Sequence, residues 1–349
     1  MLTLSLSLLL LLLLFSSSVT AEFTMSGFFN SSEIDEAYAM ATHTSMPSPL
    51  LAVLFAVLAV IGVIGNVILV VYIACQKLYK NFISSQFIAH LCITNIVALL
   101  LLVPPSLYNV ASGVNLFQNY NMLCRVQVSL TVTIWTVMAL MNLCIAGVHL
   151  LTFARIHYEQ LFGLSPGRLC ALSWTISMFL ALPSLTNGHV VIYGPGFRTC
   201  VFSHTDSGLK FLSYVLIFGV FIPAAFASYA YFRILQILFH SPIVFQSLGL
   251  YRSRFLIYAF LIGPFCQVPF YVLALLDPND PLRLSQDTIW PCICMACTYL
   301  PCIFAPILYG ASLFIIKEED MALTARTHKA PPGAYHHVAQ QASIQAQLI

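Results

Sequence analysis

Seven long apolar runs, with almost no charge inside any of them, constrain this chain more than any other feature. They cover residues 50–75, 84–108, 122–151, 170–186, 211–238, 255–276 and 289–316. Each exceeds or approaches the ~20 residues that carry a helix across ~30 Å of hydrocarbon. A soluble domain would break such runs into stripes with polar faces. These are apolar all round, so lipid is their solvent. In lipid the backbone polar groups are satisfied only within helices or closed barrels, and runs of this length argue for helices. Composition agrees, with 7% charged residues against about 25% in a soluble domain. The expected fold is an all-α membrane protein, one seven-helix bundle over residues 50–316, with no room for a second folded domain.

The flanks point the same way. Residues 1–21 hold a leucine-rich core followed by Ser16, Ser17, Ser18, Val19 and Ala21. That pattern predicts a signal peptide cleaved after Ala21. No Lys or Arg precedes the core, so an uncleaved eighth helix is the alternative. Residues 22–49 are polar and acidic, with Glu22, Glu33, Asp35 and Glu36, and are expected outside the cell. The sequon Asn30-Ser31-Ser32 makes Asn30 a candidate glycosylation site.

Orientation follows from the basic residues. With the N-terminus outside, the inner segments hold Lys77, Lys80, Arg155, Arg168, Arg233, Arg252, Arg254, Lys317, Arg326 and Lys329. The outer segments hold Arg125, Arg198, Lys210 and Arg283. Ten against four is the expected positive-inside bias. The C-terminus is then cytoplasmic and the plasma membrane the expected location. Residues 317–349 are expected to form a disordered tail, with Pro331-Pro332-Gly333 and His336-His337. A short amphipathic helix after Tyr309 is expected ahead of it.

Most of the eleven cysteines fall inside the runs, where a thiol acts as a small apolar group. Cys124 starts the third run at its outer end, and Cys200 lies in the loop between runs four and five. Both face the oxidising side, where disulfides persist. A bond between them would staple that loop over the third helix. Cys292, Cys294 and Cys297 read as apolar packing, since no histidine or carboxylate accompanies them, and no metal is expected.

With this orientation and cysteine pair, the chain resembles the rhodopsin-like G-protein-coupled receptors over residues 50–316. Gly65-Asn66-Val67 matches the family's Gly-Asn-Val in the first span. Leu91-Cys92-Ile93-Thr94-Asn95 matches Leu-Ala-x-Ala-Asp, with Pro104 following. Trp174 and Pro183 match the fourth span, and Pro223 and Tyr231 the fifth. Cys266-Gln267-Val268-Pro269 matches Cys-Trp-x-Pro of the sixth span, and Ala305-Pro306-Ile307-Leu308-Tyr309 matches Asn-Pro-x-x-Tyr of the seventh. Residues 192–238 are similar to the melatonin-receptor-like group, and the chain as a whole also resembles chemosensory receptors. The subfamily stays open between them. Proline removes a helix hydrogen bond and permits a bend, so Pro223, Pro269 and Pro306 are candidate hinges.

The departures from the family carry as much information. The resemblance places the family's cytoplasmic arginine at Val148 or His149, and the nearest arginine is Arg155. These three residues form the expected G-protein face. The family's buried acid is Asn95, and its helix-seven partner is Ala305. Asn with Ala offers no anion, so no sodium site is expected. The family's switch tryptophan is Gln267, whose amide needs a partner on another helix or on a ligand.

By position in the family, the ligand pocket would include Thr131, Trp135, Gln267, Phe270, Tyr271, Ala274, Met295 and Tyr299. Thr131 stands where amine receptors carry an aspartate, so a protonated amine would lack its counter-ion. The seventh run has no lysine, which excludes a retinal Schiff base. An apolar, aromatic lining suits a small hydrophobic ligand. The expected partners are that ligand, a heterotrimeric G protein and the lipid bilayer, with no nucleic acid, no cofactor and no enzymatic activity. A transporter or channel is disfavoured, because no ionisable group sits at mid-span. A receptor-shaped protein that has lost coupling, a decoy or heteromer subunit, is the main alternative.

Overall fold

The computed structural model describes residues 48–117, 121–154, 164–240, 263–275 and 290–329. The leader 1–21, the N-terminal segment with Asn30, Arg155, the first part of the sixth run and the tail beyond Lys329 lie outside the described residues. Helix α1 spans Pro49–Cys75. Helix α2 comprises Ile83–Leu101 and Val103–Ser112, which meet at Leu102. Helix α3 spans Asn121–Ala154 and α4 spans Pro166–Thr186. Strands β1 (Val191–Gly194) and β2 (Thr199–Phe202) then form an antiparallel hairpin. Helix α5 comprises Asp206–Tyr214, a wide π segment Val215–Phe221, and Ile222–His240. Helix α6 is described as a 3-10 segment Gly263–Gln267 followed by Val268–Leu275. Helix α7 comprises Trp290–Cys297 and Leu300–Lys329. Among the described residues, six helices are long and apolar enough to cross a membrane. The sixth run is described from Gly263 to Leu275.

Large apolar side chains cover the outside. Ile68 on α1, Phe179 on α4 and Phe226 on α5 are all more than 60% exposed. In water these faces would be unstable; against lipid they cost nothing. The interior is built around α3, whose Val132, Ile134, Trp135, Val137, Met141 and Ile145 are buried. Glycine brings α1 close to its neighbours. A Cβ on Gly62 would stand 2.5 Å from Leu99 Cδ1 on α2, and one on Gly65 would stand 3.1 Å from Pro306 on α7. Close approach through small residues is the usual glue between membrane helices.

Prolines explain most of the irregularities. Pro104 and Pro105 follow the break at Leu102, where two backbone donors are missing. Pro223 cannot donate to Gly219, and Ile222 N–H instead reaches back to Ile217 O, closing a π turn. Pro269 follows directly on the change from 3-10 to α geometry in α6. Pro306 behaves differently from the expected hinge. It lies inside an uninterrupted helix, and the break in α7 falls at Thr298 and Tyr299, ahead of Pro301. Pro301 cannot donate to Cys297, which loosens that turn. The carbonyl that Pro306 leaves free, Cys302 O, accepts from Asn66 Nδ2 at 2.7 Å. A side chain on α1 thus replaces the missing backbone bond.

The expected disordered tail needs correction over residues 317–329. Helix α7 continues through them to Lys329. Lys317, Glu318, Glu319, Met321, Ala322 and Leu323 are good helix formers, and no proline interrupts before Pro331.

Candidate functional site

The outer half of the bundle gathers several of the expected pocket residues, and it closes over them. Trp135 on α3 meets Phe270 and Tyr271 on α6 edge to face, with centroids 5.2 and 6.0 Å apart. Phe270 and Tyr271 are 5.4 Å apart. Ala274, Met295 and Tyr299 are buried in the same apolar cluster. Gln267 is buried in the 3-10 segment of α6. Thr131 stands apart: it is half-buried one turn above Trp135, and its hydroxyl donates to Gln127 O on its own helix at 2.9 Å. It therefore presents less free polarity than its position implied. The Tyr299 hydroxyl has no hydrogen-bond partner among the described residues.

Above this cluster sits the hairpin. Cys124 and Cys200 are joined by a disulfide, with their Cα atoms 5.5 Å apart. Tyr193 on β1 pairs with Cys200 on β2, so the bond fixes the whole hairpin over α3. Three helices hold it in addition. Gln127 Nε2 on α3 donates to Thr199 Oγ1 at 2.6 Å. Asn109 Nδ2 on α2 donates to Arg198 O at 2.9 Å. Cys292 Sγ on α7 donates to Gly196 O at 3.3 Å. Burial pushes the Tyr193 hydroxyl up to about 12, although the Arg198 guanidinium draws it partly back. The residues of the hairpin tip lie outside the set of pocket residues expected from the sequence. Their one sequence signal is the tether: Phe197 stands three residues before Cys200.

The landmark side chains form interhelical polar contacts. Asn66 Nδ2 donates to Gly62 O and Cys302 O, and Asn66 Oδ1 accepts from Asn95 Nδ2 at 3.0 Å. Ala305, buried one residue before Pro306, adds no polar group to this node. Asn95 Oδ1 has no partner among the described residues. Trp174 Nε1 donates to His90 Nε2 at 2.8 Å, joining α4 to α2.

Toward the far end of α3 from the disulfide, Val148 and His149, expected on the G-protein face, are buried. The His149 ring packs on Tyr231 at 6.2 Å. The Tyr231 and Tyr309 side chains lie close enough to interact. Tyr309 OH also donates to Asn142 Oδ1 on α3 at 2.7 Å. Asn142 is not among the residues expected from the sequence. Its signal there is an amide in the middle of an apolar run, where a polar group needs a partner.

None of the curated proteins matches this chain. The family model of the 7 transmembrane receptors (rhodopsin family) matches residues 65–309. That interval runs from the glycine of Gly-Asn-Val to the tyrosine after Pro306, and takes in the bundle, the disulfide and the hairpin. The chain is a multi-pass membrane protein and belongs to the rhodopsin family of seven-transmembrane receptors.

Proposed function

We propose that this protein is a plasma-membrane receptor with seven spans, its N-terminus outside and its C-terminus in the cytoplasm. It senses an apolar or weakly polar small ligand and signals through a heterotrimeric G protein. The observation that carries the ligand class is the buried cluster of Trp135, Phe270 and Tyr271 under the tethered hairpin. Its rings offer apolar and edge-to-face contacts, and none of its members is a charged group that would select an ion. Membership of the receptor family supports the G-protein partner.

A second reading is favoured by one observation. His149, which stands where the family's arginine is expected, is buried against Tyr231. A buried imidazole does not reach a cytoplasmic partner as an arginine does. This supports a receptor-like decoy or heteromer subunit. Recruitment of a panel of engineered minimal G proteins, by the wild type and by His149→Arg in living cells, separates the two. Recruitment by the wild type supports the signalling receptor. Recruitment by the variant alone supports a sound scaffold with lost coupling. Silence from both, while a bound ligand stabilises the protein, overturns the signalling reading.

A further inference from the structure

We propose that Phe197, at the tip of the disulfide-tethered hairpin, is a built-in occupant of the ligand site, and that a ligand bearing a benzene-sized apolar group binds by replacing it. The inference rests on the reading of the outer bundle as the ligand site.

Six of the eight expected pocket residues are packed closely. Trp135, Phe270, Tyr271, Ala274, Met295 and Tyr299 are each less than 5% exposed. Phe197 is itself 4% exposed, although it belongs to a loop. Its ring meets Phe270 edge to face at 5.4 Å, and Phe270 in turn meets Trp135. A loop aromatic therefore completes a ring cluster that otherwise comes from α3 and α6.

The tip is held there by more than its apolar side chain. Arg198 adopts a left-handed backbone conformation, with φ 53°, which is unfavourable for a non-glycine residue. The surroundings fix it. Arg198 Nη1 donates to Val110 O at 3.3 Å, its carbonyl accepts from Asn109, and Gly196 O accepts from Cys292. This turn directs Phe197 downward while the neighbouring polar groups are satisfied by α2 and α7. The disulfide two residues beyond Arg198 limits how far the tip can withdraw. An occupant on a short tether competes at a high effective concentration. A free ligand must match the chemistry of what it displaces: one aromatic ring, no charge.

The test is a cavity-rescue experiment on the full chain in lipid nanodiscs. Phe197→Ala removes the ring and leaves an apolar void; voids of this kind take up benzene-sized molecules. Phe179→Ala, on the lipid face, loses the same ring without opening a void. Thermal unfolding is read with and without toluene. The expected result is a midpoint several degrees lower for Phe197→Ala than for the wild type. Toluene is expected to raise that midpoint while leaving the wild type and Phe179→Ala unchanged or lower. Equal midpoints for Phe197→Ala and the wild type, or a toluene effect common to all three proteins, would overturn the proposal. Should Phe197→Ala fail to accumulate, toluene in the culture medium is expected to restore its surface level, and failure to restore it counts against the proposal equally. Minimal G-protein recruitment is measured on the same variants. Rescue of stability without recruitment by any of them leaves the occupant in place and removes the signalling reading.

Discussion

The hydrogen bond from Tyr309 to Asn142 is the interaction whose energetic weight can be worked most directly. It joins the inner halves of α7 and α3 at 2.7 Å, and Asn142 is only half-buried. Tyr309→Phe keeps the ring and removes the hydroxyl. It leaves the Asn142 side-chain oxygen without its donor. An orphaned polar group costs about 1–3 kcal/mol when buried. In membrane bundles, measured interhelical bonds average roughly 0.6 kcal/mol and reach about 1.7. With one half-buried acceptor orphaned and the interhelical bond broken, Tyr309→Phe is expected to cost about 1–2 kcal/mol. Asn142→Leu, close in shape, is expected to cost about 1 kcal/mol. The double variant faces two apolar groups across the same gap, so it should cost little more than the worse single change. That is a coupling of about 1 kcal/mol. The assay is reversible unfolding of all four proteins in mixed micelles, analysed as a double-mutant cycle. Costs that add within about 0.3–0.5 kcal/mol, the scatter of independent sites, would show that the bond carries no net energy.

Three further changes test other joints of the structure. Cys124→Ser opens the bond across a sequence separation of 76 residues. Chain entropy sets an upper limit of about 4–5 kcal/mol for a loop of that size, and the intervening spans stay inserted, so surface labelling should fall while glycosidase and protease mapping of the spans is unchanged. Gly208→Ala would put a Cβ 2.1 Å from Ser203 O, a backbone atom that cannot move aside, whereas nothing lies within 4 Å of the corresponding Cβ at Gly167. Gly208→Ala should therefore lose most of its folded yield by size-exclusion fluorescence, and Gly167→Ala should keep it. Asn66→Ala would orphan both the Cys302 carbonyl and the Asn95 amide. At roughly 1–3 kcal/mol per buried orphan, a loss of about 2–6 kcal/mol is expected in the same unfolding assay, and a cost below about 1 kcal/mol would refute the node.

The spans are legible because lipid leaves the sequence few options: a run of twenty apolar residues can only be a helix crossing or a buried one. The ring cluster is legible in part, since Trp135, Phe270 and Tyr271 lie on spans whose azimuth a family pattern fixes. Phe197 is not. Nothing in a loop phenylalanine says that it points into a bundle. That depends on the hairpin register, on the left-handed turn at Arg198 and on partners from α2 and α7, all of which are long-range. Arg198 reads in the sequence as an outer charge and is in fact 8% exposed. The break in α7 departs from its expected place for a related reason. Pro306 and Pro301 each lose one backbone bond, and at Pro306 a side chain from another helix, Asn66, takes up the freed carbonyl while the helix continues. The missing donor is written in the sequence; its replacement is a matter of packing.

The polar side chains that link the helices share one chemical feature, and it bears on how this receptor would switch. Asn95, Asn66, Asn142, Tyr231, Tyr309 and His149 join the helices through amides, phenols and an imidazole, with no carboxylate or guanidinium among them. Charge-assisted bonds are roughly twice as strong as neutral ones, and breaking a buried ion pair by removing one partner costs about 3–5 kcal/mol. Neutral bonds of roughly 0.6 kcal/mol each hold the inner ends with far less energy, so the equilibrium between closed and open inner faces needs less to move. About 1.4 kcal/mol of differential binding shifts a two-state equilibrium tenfold, and a shift from roughly 1:99 to 99:1 takes about 5.5 kcal/mol. A latch that loses only about 1–2 kcal/mol in Tyr309→Phe is within reach of the differential affinity of one small apolar ligand. If the wild type recruits a minimal G protein at all, Tyr309→Phe should therefore change its basal recruitment severalfold in the absence of ligand. An unchanged basal level, beside a measured loss of stability in the same variant, would mean that these bonds hold both states equally and that the switch lies elsewhere.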